Sequence, residues 1–164
     1  MIPEIKKILY TTDLSPNSAY AFRYAINSAK KHDASIIILH VVEEMAPFFE
    51  KERLKKISEK KITEAMDRIR DRLNIFCDRE LKDDPECADR VVSIEVCQGY
   101  PPEEILRKAD ELNCDVIVMG THGKGVIRHS FLGSAAQKVL RRVRKPVFII
   151  PLPEGEIDIT FDNI

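Results

Sequence analysis

The sequence predicts one doubly wound α/β domain: an open sheet of five parallel strands in the order 3-2-1-4-5, with helices on both faces. Three observations carry this. Five short apolar runs are separated by four amphipathic stretches. Two of the runs, SIIILHVVE and DVIVMG, are unbroken rather than alternating, as in strands covered on both sides. Parallel strands joined by helical crossovers are the economical way to bury such a series.

Each element follows from its own residues. KKILYTT (6–12) is an apolar run closing on polar residues, a first strand. In DLSPNS, Ser15 suits a helix N-cap and Pro16 the first turn, where its missing N–H costs nothing. Phe22, Ala25, Ile26 and Ala29 then recur at helical spacing until KKHDA. SIIILHVVE is the second strand. From about residue 49 to 81 there is neither Pro nor Gly, and Leu54, Ile57, Ile62, Ala65, Ile69, Leu73 and Phe76 form one stripe beside a charged face. That predicts a long amphipathic helix, broken by Asp83, Asp84 and Pro85. VVSIEVC (91–97) alternates and reads as a half-exposed edge strand. GYPPEEILRKADEL opens on Pro and Glu and continues as a helix with Ile105, Leu106, Ala109 and Leu112 inward. DVIVMG is the fourth strand. A helix from about Ser130 or Gly133 to Arg142 and the strand PVFIIP complete the core.

Composition narrows the function. The chain of 164 residues has 44% hydrophobic and 32% charged residues, and 26 basic against 27 acidic side chains leave a net charge of −1. No global field draws it to nucleic acid or an anionic membrane. The apolar run IIILHVV is too short to span a bilayer, and MIPEIKK lacks the apolar core of a signal peptide. The expected compartment is the cytoplasm. Cys77, Cys87, Cys97 and Cys114 show no ligand spacing and are expected as reduced thiols.

The segment GTHGKGVIRHSFLGSA (120–135) stands apart, with four glycines and four basic or imidazole side chains directly behind the fourth strand. Each glycine costs about 0.5–1 kcal/mol against alanine inside regular structure, so a close approach of backbone to a ligand is a reason to keep them. In open α/β sheets ligands bind beyond the carboxyl ends of the strands, where the strand order reverses. With strands one and four adjacent there, Asp13 faces backbone amides, Lys124, Arg128 and the helix start at Gly133 and Ser134. A carboxylate opposite an anion cradle suits a nucleotide, hydroxyls to the acid and phosphates to the amides. A Walker A loop is excluded because Gly125 follows Lys124, and GxGxxG fails at Arg128. The plainer alternatives are a helix cap for Asp13, an N-cap for Ser134, solvated loop side chains for His122 and His129, and a satisfied core histidine for His40.

The spacing Gly120-x2-Gly123-x9-Gly133-Ser134, joined to Asp13 and the final PVFIIP, resembles the ATP-binding branch of the universal stress protein family over nearly the whole chain, about residues 6–151. The resemblance implies an acid at Asp13 against the ribose or adenine end, and main-chain contact to adenine at Val41. It places Gly120 and Gly123 near ribose and phosphate, and Gly133 and Ser134 at the phosphates, with Mg or Mn carried on them. The expected nucleotide-binding set is Thr12, Asp13, Val41, Met119, Gly120, Gly123, Lys124, Arg128, Gly133, Ser134 and Ala135, with no catalytic or metal-ligating residue. Thr11 departs from the proline of several ATP-binding relatives. The implied function is an ATP-, ADP- or AMP-binding sensor module in the stress response. A slow ATP-hydrolysing enzyme and a nucleotide-free structural dimer are the alternatives.

The expected domain covers residues 1–152, with an extension at 153–164. There Ile157, Ile159 and Phe161 alternate with Asp158, Thr160 and Asp162, which predicts an extra C-terminal strand on the edge of the fifth. The strand is expected there in its own subunit or across a dimer, with a disordered tail as the alternative. Family members commonly dimerise through that last core strand, which implies a homodimer, with exchange of the tail between subunits left open.

Overall fold

The computed structural model describes residues 1–43, 51–121 and 133–151, without the side chains of residues 16, 17, 51–54, 56 and 57. Five strands, β1 (Lys7–Thr11), β2 (Ser35–Glu43), β3 (Val91–Gly99), β4 (Val116–Gly120) and β5 (Val147–Ile150), form one sheet in the order β3-β2-β1-β4-β5. Every neighbouring pair is parallel. The predicted strand order and fold class are therefore those observed.

Alternation along the central strands divides the core in two. Ile8, Tyr10, Ile36, Ile38, Val116 and Val118 face one side, where α1 (Pro16–His32) and α2 (Lys51–Glu80) cover them. Leu9, Ile37, Leu39, Val41, Ile117 and Met119 face the other, under α3 (Pro101–Glu111) and α4 (Ser134–Arg142). Ile8, Leu9, Ile36, Val116, Ile117 and Val118 are fully buried. Strands sandwiched this way need apolar side chains on both faces, hence the unbroken runs.

The helix ends follow local chemistry. Ser15 is the N-cap of α1, its side chain accepting the Ser18 N–H at 3.3 Å, with Pro16 next. Asp33 closes the helix in the left-handed region, and Lys30, Lys31 and His32 lie in the last turn, favourably placed toward the helix dipole. Ala65, Ile69 and Phe76 of the α2 stripe are buried; Ile62 and Leu73 are half-buried. Past Asp83 and Asp84 the chain forms a 3-10 helix, Pro85–Arg90, which the sequence did not reveal. Contacts to the end of α1 hold it: Lys30 pairs with Asp84, and Arg90 reaches Asp33 at 3.0 Å. β3 is an edge strand as predicted, with Val92 exposed. β5 is the other edge. The predicted tail strand of 153–164 lies outside the described residues.

Candidate functional site

The strand order reverses between β1 and β4, because the chain runs outward from β1 to β3 and then returns to β1's other side. Ile8, Leu9 and Tyr10 pair with Val116, Ile117 and Val118. Past that last pair, Tyr10 with Val118, β1 runs on to Thr11 and β4 to Gly120. The two segments singled out in the sequence thus leave the sheet side by side at its carboxyl edge.

The β1 exit is a tightly bonded turn. The Thr12 amide donates to the Leu39 carbonyl at 2.9 Å, extending the β1–β2 pairing past the last strand residue. Thr12 Oγ1 accepts the Leu14 N–H at 3.0 Å and shares a hydrogen bond with Ser18 Oγ at 2.8 Å. Asp13 Oδ1 accepts the Ser15 N–H at 2.9 Å. Between them Leu14 sits at φ 65° with its side chain buried. A left-handed leucine costs of order 1–3 kcal/mol, and such residues persist where their surroundings over-determine them. The cap of α1 is Ser15 and not Asp13, whose carboxylate braces the turn one step earlier and is half-buried. Beneath this turn Tyr10, its hydroxyl donating to the Ser18 carbonyl at 2.6 Å, is buried enough to push its phenol well above the ordinary range.

The β4 exit brings the helix start to the same edge. Met119 is buried against the α3/α4 face and Gly120 ends the strand half-exposed. Thr121 donates its amide to the Ile150 carbonyl at 3.1 Å, and its carbonyl accepts the Gly133 N–H at 2.5 Å. Gly133, not Ser134, is the N-cap of α4, at φ −62° and ψ 157° with no side-chain cap bond. The first helical bond runs from the Gln137 N–H to the Gly133 carbonyl, so the amides of Ser134, Ala135 and Ala136 stand ahead of the ladder. Ser134 is exposed and Ala135 half-buried at this end. Amides so placed, at the positive end of a helix dipole, suit an anion.

Of the expected set, Thr12, Asp13, Val41, Met119, Gly120, Gly133, Ser134 and Ala135 are carried to the carboxyl edge by β1, β2, β4 and α4. Gly123, Lys124 and Arg128, with His122 and His129, lie outside the described residues. Val41 extends two residues beyond the last β1–β2 pair, Thr11 with Leu39, its side chain buried. The left-handed Leu14 was missed in the sequence; His40 is a satisfied histidine as expected, but its partner, the Thr12 carbonyl oxygen 2.7 Å from Nδ1, was not foreseen. Neither leaves a local signal, since Leu14 shows no turn-forming residue type and the His40 partner is remote in sequence. Among the described residues there is no group of three or more His, Cys, Asp or Glu that could hold a metal ion, and no helix long and apolar enough to cross a membrane.

A cavity of about 50 Å³ lies elsewhere, between β1, α1 and α2, walled by Tyr10, Phe22, Ile69, Leu73 and Phe76. It meets the site only at its rim, through Thr12 and Leu14. Its lining is mainly apolar side chains of the core, on the α1/α2 face of the sheet.

The model of the Universal stress protein family matches residues 4–151. A universal stress protein of Methanocaldococcus jannaschii is 31% identical over 92% of this chain and 85% of its own. The solved structure of a second protein from that organism is 28% identical, covering 93% and 100% of the two chains with a TM-score of 0.72. Universal stress protein UspA from Lactobacillus plantarum, 23% identical over 91% and 99%, shares the fold at a TM-score of 0.76. The same fold occurs in a universal stress protein in complex with cAMP (22% identical, 91% and 98% covered, TM-score 0.55) and in one from Archaeoglobus fulgidus in complex with dAMP (18%, 91% and 99%, 0.51).

Proposed function

Because this chain belongs to the universal stress protein family, we propose that it is a member of the ATP-binding branch, acting as a nucleotide-dependent sensor or regulatory module in the stress response. One observation carries the reading: Asp13, just past β1, and the first-turn amides of α4, tied to the β4 exit by the Gly133–Thr121 hydrogen bond, lie at the same edge of the switch point. Two proteins of the same fold are solved with adenine nucleotides, cAMP and dAMP, which supports an adenine ligand here.

In the proposed complex the Asp13 carboxylate takes ribose or adenine donors, and Val41 offers its main chain to the base. Met119 and Gly120 line the ribose, and Thr12 shapes the wall from its bonded position. Gly123, Gly133, Ser134 and Ala135 present amides to the phosphates, while Lys124 and Arg128 offset their charge. Mg or Mn enters on the phosphates themselves. The nucleotide acts by mass action: binding the folded state alone stabilises it by about 2.7 kcal/mol at a hundredfold excess over Kd. The domain is proposed to span residues 1–152 in a cytoplasmic homodimer. Its contact runs along the edge of β5, with the tail of 153–164 added as a strand.

Mass spectrometry of denatured purified protein, followed by calorimetry with ATP, ADP and AMP, tests the reading. An adenine nucleotide is expected in the denatured sample. Gly133→Val is expected to weaken binding at least about tenfold, or 1.4 kcal/mol, with the fold retained, since φ −62° is open to any residue. No co-purifying nucleotide and no heat with any of the three would overturn it.

A further inference from the structure

His40 is the one polar side chain in the IIILHVV run of β2, half-buried, and its Nδ1 lies 2.7 Å from the Thr12 carbonyl oxygen. A carbonyl oxygen only accepts, so the bond places the proton on Nδ1. We propose that His40 is a positioning residue for the nucleotide site: its Nδ1–H holds the Thr12–Asp13 peptide in the orientation that sets the Asp13 carboxylate. The proposal rests on the nucleotide reading above.

Three ties already hold Thr12. Its amide bonds to Leu39, and its hydroxyl meets both Ser18 and the Leu14 amide. These ties bond its amide to β2 and its hydroxyl to α1 and to the turn. They leave open the direction of its carbonyl, and the peptide plane makes that direction decisive. The Thr12 C=O and the Asp13 N–H belong to one rigid unit, so a turned carbonyl turns the Asp13 backbone with it. Directly beyond stands the left-handed Leu14, whose strained geometry needs support from its neighbours. His40 supplies that support from the adjacent strand, one residue before Val41. A single side chain thereby locks the β1 exit to the β2 segment expected to meet the base. His40 itself points at the main chain of Thr12, so it acts through that residue.

The test uses His40→Leu, which removes the donor at similar volume, and His40→Asn, whose amide nitrogen stands where Nδ1 stood. The first readout is amide hydrogen exchange at Leu14 and Ser15 in nucleotide-free full-length protein, with Ile37 and Ile117 as core controls. His40→Leu is expected to speed exchange at Leu14 and Ser15 about tenfold or more while the core amides stay unchanged. His40→Asn is expected to return it to within about threefold of wild type. The second readout is ATP affinity by calorimetry, expected to fall about tenfold in His40→Leu and to recover in His40→Asn. Unchanged exchange in His40→Leu, or no recovery with asparagine in either readout, overturns the proposal. If wild-type protein binds no ATP, the nucleotide reading fails, and exchange alone then decides whether His40 holds the turn. Should His40→Leu not fold, His40→Gln takes its place, its amide standing at the Nε2 position instead.

Discussion

Replacing Asp13 by asparagine separates two tasks of one carboxylate. Oδ1 accepts the Ser15 amide at 2.9 Å and braces the turn into α1, while the charge is what the proposed nucleotide reads. Asparagine keeps the acceptor and drops the charge. A hydrogen bond to a charged group is worth about 1.5–3 kcal/mol net, against about 0.5–1.5 for a neutral one. The difference of about 1–1.5 kcal/mol corresponds to roughly a five- to thirteenfold change in an equilibrium constant. Asp13 is half-buried, so solvent screening favours the lower half of that range. Asp13→Asn is therefore expected to weaken ATP binding about five- to eightfold in calorimetry at fixed salt, with melting unchanged within about 2 °C. Asp13→Ala loses the acceptor as well. By analogy with helix caps that costs about 1 kcal/mol, or about 2–4 °C of melting temperature in a domain of this size. If Asp13→Asn binds ATP as tightly as wild type, the carboxylate does not read the nucleotide. If it melts as low as Asp13→Ala, the brace needs the charge.

Three further outcomes follow from the geometry. At Gly99, φ is 154° and an added Cβ would meet Glu104 Cγ at 2.9 Å. Gly99→Ala is expected to lower stability by about 1–2 kcal/mol in urea unfolding, and an unshifted midpoint would refute that. Burial leaves Cys114 1% exposed and pushes its thiol up to about 11. A thiol reagent at pH 8 is expected to modify Cys114 only as fast as the protein opens; labelling as fast as in urea would contradict this. The Lys30 ammonium, followed by the Cys87 thiol, holds the Asp84 carboxyl below its ordinary value. With the folded pKa depressed, the stabilisation is complete above the ordinary carboxylate range and disappears as pH falls through the depressed value. Wild type and Asp84→Asn should therefore differ in unfolding midpoint at pH 7 and converge in strong acid. A gap that persists in acid would show that this ion pair is not its source.

Much of the framework was legible because it depends on near neighbours. Ser15 and Pro16 marked the start of α1, and both are found there. The stop at Asp83–Pro85 ended α2, and the alternation of VVSIEVC marked an edge strand. Unbroken runs at 36–42 and 116–119 announced strands buried on both faces, and Asp13 and Gly133 could be assigned to one edge once the strand order was inferred. These are statements about steric preference and hydrophobic period, which residues a few positions apart settle among themselves.

Other features depend on partners that only folding brings close. The 3-10 helix at Pro85–Arg90 is held by Asp33 and Lys30, more than fifty residues earlier. The Asp115 carboxylate accepts the Lys6 and Lys7 amides at 2.8 Å each, across 109 and 108 residues. His40 meets Thr12 because strand register, not sequence distance, decides which groups face each other. From the sequence alone came the elements, their order and the two segments that share an edge. Tertiary structure decided which polar groups of the described residues in those segments are bonded within the chain, because a hydrogen bond has a direction and a reach that periodicity does not encode.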